Sequence, residues 1–185
     1  MTWALVVVDM QNDFADPAGS LAVTGGASVV PVVNALVAQA PVVACSQDWH
    51  PAVTPHFTTS GGTWPVHCVQ GTWGAELHPD LDVRGEVVRK GTGGEDGYSA
   101  FTVRDPQTGV ETPTSLAASL RASGATSLVV VGLATDYCVR ATALDGLALG
   151  WPVTVVRDAV RAVDLQPGDG DRALAELAAA GVLLR

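Results

Sequence analysis

The chain has 185 residues, of which 48% are hydrophobic and 16% are charged, and its formal net charge is −9. This size and composition predict a single globular domain over residues 1–185 and exclude a disordered chain. The acidic balance and the lack of a Lys/Arg stripe argue against nucleic-acid binding, and no apolar run approaches the ~18 residues that span a membrane. The first residues, MTWALVVVDMQNDF, have neither a basic region nor a small-residue cleavage site, so we expect a cytoplasmic protein without a signal peptide.

Short apolar segments alternate with helical segments along the chain. Residues 3–8 form a continuous apolar run, which is typical of a strand buried on both faces. Further strands are predicted at 42–46, 86–90, 127–132, 152–156 and 182–184, and helices at 28–40, 114–123, 135–149 and 169–180. This alternation predicts an α/β fold, a three-layer α/β/α sandwich around a mainly parallel six-stranded sheet. The segments 47–74 and 91–111 are predicted to be irregular, and segments of that length are usually functional.

Reactive side chains fall at the ends of the predicted strands. Asp9 follows the first strand, Lys90 ends the third, and Cys138 lies in the first turn of the helix after the fourth. Because the carboxyl ends of parallel strands meet at one edge, we expect these groups to lie close together. Cys138 then suits a nucleophile favoured as thiolate by the helix dipole, Asp9 a base, and Lys90 a cation that keeps Asp9 ionised. The alternative is a structural ion pair beside an unrelated buried thiol.

Lys90 is the single lysine of the chain, beside nine arginines. An arginine bias can reflect genome composition alone. A single lysine retained at a strand end nevertheless indicates a position whose role arginine would not fill. A compact ammonium and a planar guanidinium fill a site differently.

A cluster of metal-type ligands lies in the first irregular segment. Asp48, His50 and His56 belong to DWHPAVTPHF, and His67 follows in WPVHC. Imidazole together with carboxylate suits one divalent metal ion, Zn, Fe or Mn. The alternative is a set of ordinary surface histidines in a loop.

Three aromatic residues, Phe14, Trp64 and Tyr98, lie on loops near these ligands. Such residues form flat apolar slots for a ring-shaped small-molecule substrate, although they can equally anchor a loop.

The motifs VVDMQNDF, DWHP…H, WPVHCV, RKG…DGYSAF and GLATDYCV resemble the nicotinamidase/pyrazinamidase branch of the isochorismatase-like cysteine hydrolases, in order and spacing over nearly the whole chain. The resemblance implies a cis peptide bond between Leu133 and Ala134, which would direct the N–H groups of Ala134 and Cys138 to an oxyanion. It also implies a catalytic triad, a metal site and a ring pocket, formed respectively by Asp9, Lys90 and Cys138, by Asp48, His50, His56 and His67, and by Phe14, Trp64 and Tyr98.

The implied activity is hydrolysis of nicotinamide, and also of pyrazinamide, to the acid and ammonia through a thioester on Cys138, with a metal ion orienting the ring. One alternative is a metal-free hydrolase of the same superfamily that acts on a vinyl ether or an N-carbamoyl group. Another is a non-enzymatic binding protein on the same scaffold. The sequence leaves open the metal's identity and whether the chain forms an oligomer, and it assigns no role to Cys45, Cys68 or His78.

Overall fold

The structure is a computed structural model that describes residues 2–185. Six of its strands form one parallel sheet, and two short strands form a separate antiparallel hairpin. In chain order the strands are β1 (Thr2–Val8), β2 (Val42–Asp48), β3 (Glu86–Lys90), β4 (Thr102–Arg104), β5 (Glu111–Pro113), β6 (Ala125–Leu133), β7 (Val153–Arg161) and β8 (Leu183–Leu184). The order across the sheet is β3-β2-β1-β6-β7-β8, and β4 pairs with β5.

Helices cover both faces of the sheet. They are α1 (Asn12–Ala15), α2 (Val30–Val37), α3 (Leu116–Ala122), α4 (Arg140–Ala148) and α5 (Asp169–Ala180). A 3-10 turn at Gly26–Val29 leads into α2, and a π-helical turn at Thr135–Val139 leads into α4. No helix within residues 2–185 is both long enough and apolar enough to cross a membrane.

Two hydrophobic cores lie between the sheet and the helical layers, one on each face of the sheet. In β1, Ala4, Val6 and Val8 face the core shared with α3, α4 and α5, where Leu120 and Leu177 are buried. The alternate residues Leu5 and Val7 face the core shared with α1 and α2. This strand therefore has both faces buried, because its side chains alternate with a period of two and each face meets a helical layer. The predicted α/β/α sandwich around a six-stranded sheet is confirmed.

The predicted elements differ from the observed ones mainly in the irregular segments. The β4–β5 hairpin lies within and just beyond the segment 91–111, which was expected to have no regular structure. Its strands are short, polar and mostly exposed, so no apolar alternation reveals them. The helix expected at 28–40 is shorter, since its first turn is 3-10, and β7 runs five residues further than predicted, to Arg161.

The centre of the sheet is a topological switch point. Chain connections run from β1 through β2 to β3 on one side, and from β6 through β7 to β8 on the other. Ligands of open parallel sheets bind at such a point, beyond the carboxyl ends of the strands. Gly132 allows β6 to approach β1 closely there, because a Cβ at that position would lie 2.1 Å from the carbonyl oxygen of Val8.

Candidate active site

The structure brings Asp9, Lys90 and Cys138 into one buried group at the switch point. The Nζ atom of Lys90 lies 2.9 Å from Oδ2 of Asp9 and 3.6 Å from Sγ of Cys138. The same ammonium lies 2.6 Å from Oδ1 of Asp48. Asp9 is 0% exposed, Lys90 1% and Cys138 7%, so these charges interact with little screening by water.

The backbone and one hydroxyl hold Asp9 in place. Asp9 directly follows β1 and has a left-handed conformation, with φ of 45°. Its N–H donates to the carbonyl oxygen of Ser46 at 3.2 Å, and the Ser46 hydroxyl donates to Oδ1 of Asp9 at 2.6 Å. With Oδ1 bound by Ser46, Oδ2 is the oxygen that faces Lys90.

Burial shapes the proton affinities of this group. Burial raises the pKa of Cys138 well above its ordinary value, and Lys90 offsets only part of that effect. Burial also raises the pKa of Asp9 against the opposing charge of Lys90. Burial acts to lower the pKa of Lys90, but the charges of Asp48 and Asp9 outweigh that effect and hold the pKa well above its usual range. Lys90 therefore favours the thiolate, but burial outweighs its charge in the resting site, so attack by Cys138 needs a base, the role expected for Asp9.

His50, His56 and His67 converge beside this group. Each offers a ring nitrogen, and the three nitrogens lie within 4.8 Å of one another. Asp48 faces both clusters, because its Oδ1 meets Lys90 whereas its Oδ2 lies 3.8 Å from Nε2 of His50 and 3.9 Å from Nε2 of His67. Burial opposes ionisation of Asp48, but Lys90 and the histidines hold its pKa well below the usual range.

The surroundings of the histidines fit a metal ion. Nδ1 of His67 lies 2.7 Å from the carbonyl oxygen of Pro65, which leaves Nε2 facing the cluster. Burial lowers the pKa of His67 to about 4, so the ring is neutral near pH 7, as a metal ligand must be. Both ring nitrogens of His50 are buried and have no hydrogen-bond partner among residues 2–185. A buried unpaired imidazole is costly, and one divalent cation among three imidazoles and a carboxylate would bind one of these two nitrogens.

The three predicted aromatic residues line one cavity that also reaches both polar clusters. The cavity encloses about 440 Å³ of empty space, part of it open to solvent. The Trp64 indole N–H donates to the hydroxyl of Tyr98 at 3.1 Å, and the Phe14 ring lies 5.5 Å from that of His67. The lining of this cavity also includes Asp48, His56, His67, Ala134 and Cys138. The peptide bond between Leu133 and Ala134 is cis, as predicted.

Sequence reasoning missed several residues of the site. Tyr137 lines the cavity and meets Trp64 edge-on, with ring centroids 4.9 Å apart. Its position beside Cys138 could have suggested this. Asp96 lies 2.8 Å from Nδ1 of His56, and the hydrogen bond from that ring holds the pKa of Asp96 well below its usual range. No sequence pattern indicates Asp96, because it lies in an irregular, glycine-rich loop.

A third missed residue, Gln11, holds the end of β2. Its side-chain amide donates to the carbonyl oxygen of Asp48 at 2.6 Å and accepts from the N–H of Asp48 at 2.8 Å. Gln11 is 0% exposed, and a polar residue just after a buried strand is the pattern that could have indicated it. His78, by contrast, lies outside the histidine cluster.

Comparisons with known proteins show which family the chain belongs to. The sequence matches the isochorismatase domain family over residues 3–184. The nicotinamidase of Escherichia coli (strain K12) is 41% identical over 203 positions, covering 98% of this chain and 93% of that protein. The structure of the pyrazinamidase of Pyrococcus horikoshii in complex with zinc has a TM-score of 0.87 at 39% identity, covering 100% of this chain and 99% of the other. PnC1 from L. infantum in complex with nicotinate has a TM-score of 0.90 at 42% identity, covering 100% and 92%. The chain therefore belongs to the isochorismatase family, within its nicotinamidase branch.

Proposed function

We propose that this protein hydrolyses nicotinamide to nicotinate and ammonia, using Cys138 as the nucleophile and one divalent metal ion. The observation that carries the proposal is that a buried thiol, two members of the three-histidine cluster and an aromatic wall line the same cavity. A flat heteroaromatic carboxamide matches that combination, because the ring suits the aromatic wall and the amide carbon suits the thiol. Pyrazinamide, which has the same shape, is expected to be a second substrate.

The first half of the reaction forms a thioester. Asp9 accepts the proton of Cys138, and the sulfur attacks the carboxamide carbon to form a C–S bond. The N–H groups of Ala134 and Cys138 stabilise the negative charge that develops on the carbonyl oxygen. The C–N bond then breaks, and Asp9 returns its proton to the leaving nitrogen, which departs as ammonia. A carboxyl group whose pKa is raised by burial suits both proton transfers.

The second half hydrolyses the thioester. A water molecule adds to the acyl carbon while Asp9 takes one of its protons. The C–S bond breaks, nicotinate leaves, and the thiolate of Cys138 is protonated again. The ammonium of Lys90, 3.6 Å from the sulfur, stabilises the thiolate in both halves.

The metal ion would be held by Asp48, His50, His56 and His67. When bound, it supplies Lewis acidity that orients a substrate with a ring nitrogen and polarises groups close to it. The buried, unpaired nitrogens of His50 favour this assignment over the metal-free alternative. Zn, Fe and Mn all remain compatible with the donor set.

The remaining alternatives make different predictions. A metal-free relative would hydrolyse an N-carbamoyl or vinyl ether substrate without needing the histidines. A binding protein would retain a carboxamide without releasing ammonia. The buried Asp9–Lys90–Cys138 group supports an enzyme, because an ion pair beside a thiol is costly to bury and serves a binding scaffold poorly.

Ammonia release by purified protein tests the proposal directly. Nicotinamide, pyrazinamide and an N-carbamoyl amine are compared with metal-loaded and chelator-treated protein, and an acyl-enzyme on Cys138 is sought by mass spectrometry after rapid quenching. We expect turnover of both ring carboxamides by the metal-loaded protein only. Retention of nicotinamide without ammonia release, or equal activity after complete metal removal, would contradict the proposal.

A further inference from the structure

The loop at residues 91–98, between β3 and β4, contributes to two parts of the site. It carries Tyr98, which lines the cavity, and Asp96, whose Oδ1 lies 2.8 Å from Nδ1 of His56. The side chains of His56 and Asp96 are 8% and 24% exposed. A separation of 2.8 Å is a hydrogen-bond distance, and the partial burial of both side chains shields this contact from competing water.

The three clustered histidines differ in what holds their second nitrogen. His67 has a backbone carbonyl, and His50 has no hydrogen-bond partner among residues 2–185. A Cβ at Gly91 would lie 2.6 Å from Nδ1 of His50, so the backbone crowds that ring. Within the described residues, His56 is therefore the histidine of this cluster whose outer nitrogen meets a carboxylate.

Other contacts fix the direction of the Asp96 carboxylate. The backbones of Asp96 and Arg104 exchange two hydrogen bonds of 2.7 Å, which join the loop to β4. The guanidinium of Arg104 donates to Oδ2 of Asp96 at 3.0 Å, and the N–H of Gly97 donates to Oδ1 at 2.8 Å. Oδ1 is thereby turned towards His56, and its position depends on the hairpin.

We propose that Asp96 is a positioning residue, which keeps the proton of His56 on Nδ1 so that Nε2 is the nitrogen available to the metal ion. A carboxylate partner on the outer nitrogen fixes both the tautomer and the orientation of a ligating histidine. Because Tyr98 follows two residues later and bonds Trp64, the same loop links occupancy of the metal site to the aromatic wall of the cavity. The inference rests on the proposed metal site.

Zinc affinity is the first measurement, made by competition with a chromogenic chelator and independent of activity. Asp96→Ala removes the acceptor, and Asp96→Asn keeps an acceptor oxygen but removes the charge. We expect zinc binding to weaken by about 10–100-fold in Asp96→Ala and by less in Asp96→Asn. The matched control is Asp82→Asn, which removes another carboxylate paired with an arginine, at 2.8 Å from Arg84, and should leave affinity unchanged.

The tautomer of His56 is the second measurement, and it needs no metal. Nitrogen-15 spectra of the metal-free protein, recorded under mildly alkaline conditions where imidazole is neutral, report which ring nitrogen carries the proton. In the wild type His56 should carry it on Nδ1, and in Asp96→Ala the ring should shift towards the Nε2–H form. A merely structural role of Asp96 in the loop would not change this spectrum.

Hydrogen exchange of the loop tests the link to the cavity wall. In the wild type, zinc should slow amide exchange in residues 91–98, and in Asp96→Ala that protection should largely disappear. Zinc affinity of Asp96→Ala within about twofold of the wild type, or an unchanged His56 tautomer, would overturn the inference while leaving the metal site intact. A wild type that binds no zinc would overturn the metal site itself, and this inference with it.

Discussion

The two polar clusters of the site are built in different ways. The group that would perform the chemistry lies at strand ends or just beyond them, on β1, β3 and the turn after β6. The histidine cluster instead lies on the irregular segment after β2 and depends on neighbours such as Pro65 and Asp96 for its orientation. Proton transfer and attack tolerate little misplacement, which the rigid sheet prevents, whereas metal ligands can be brought together by loops and held by the ion itself.

The clusters also meet at one point. Asp48 ends β2 and presents one oxygen to Lys90 and the other to two histidines. A change at Asp48, or at its partner Lys90, is therefore expected to affect both clusters.

The largest effect is expected for the nucleophile. Cys138→Ala should lower kcat/KM for nicotinamide by roughly 10⁴-fold or more, because no other thiol lies in the cavity lining of the described residues. Zinc content and the far-UV spectrum should stay unchanged, since the thiol is not needed for the histidine cluster. Cys45→Ala is the matched control, because Cys45 is also a buried free cysteine, on β2, and should retain activity. Full activity in Cys138→Ala would remove the thiol from the mechanism.

A metal ligand should come next. His67→Ala should lower both zinc occupancy and activity, with kcat/KM falling roughly 10³-fold if the ion contributes about 4 kcal/mol of transition-state stabilisation. His78→Ala, a histidine outside the cluster, should change neither quantity. If His67→Ala kept its full metal content, the assignment of His67 as a metal ligand would be wrong.

Lys90→Arg distinguishes the effect of positive charge at position 90 from the effect of side-chain shape, at the residue that contacts Asp9, Asp48 and Cys138. Charge is conserved, but a larger planar group must fit between Asp9, Asp48 and Cys138, and a displacement of ~1 Å can cost about 100-fold in rate. We expect the variant to fold and to lose at least that much in kcat/KM. Arg157→Lys, the reverse exchange at an exposed position of β7, should leave kcat/KM nearly unchanged.

The outcome for Lys90→Arg bears on the single lysine of the chain. If arginine restored most of the activity lost in Lys90→Ala, position 90 would supply positive charge alone. Lys90→Ala should also destabilise the fold by about 3–5 kcal/mol, because it leaves two carboxylates buried without their cation. Denaturant unfolding measures this loss.

The smallest effect is expected for the hydroxyl that orients Asp9. Ser46→Ala leaves Oδ1 of Asp9 without its 2.6 Å donor, and a loss of about 1.4 kcal/mol in orientation lowers kcat/KM roughly 10-fold. Metal content should not change. Ser115→Ala removes a hydroxyl that donates to the carboxylate of Glu86 on the surface, and it should leave the rate unaffected. An unchanged rate in Ser46→Ala would mean that the backbone at the end of β1 orients the Asp9 carboxylate without help from the Ser46 hydroxyl.

The strand ends were predictable from sequence because their signals are local. An apolar run followed by Asp9, and another followed by Lys90, indicate both the strand and its reactive edge. Asp96 was not predictable in this way, since its role depends on which loops the tertiary fold brings together. The net direction of the Cys138 pKa could not be predicted for a related reason, because burial is a property of the assembled core and outweighs the opposing charge of Lys90.

The central position of β1 has a consequence for refolding. Asp9 meets Ser46 across 37 residues of chain, and Lys90 meets Cys138 across 48, so no short fragment contains the reactive group. Closing such loops costs entropy that only the completed parallel sheet offsets, and non-local pairing of this kind is slow. A refolding chain should therefore recover turnover only in the step that inserts β1 between β2 and β6. A nascent chain that ends at β3 contains Asp9 and Lys90 but not Cys138, so it cannot form the reactive group.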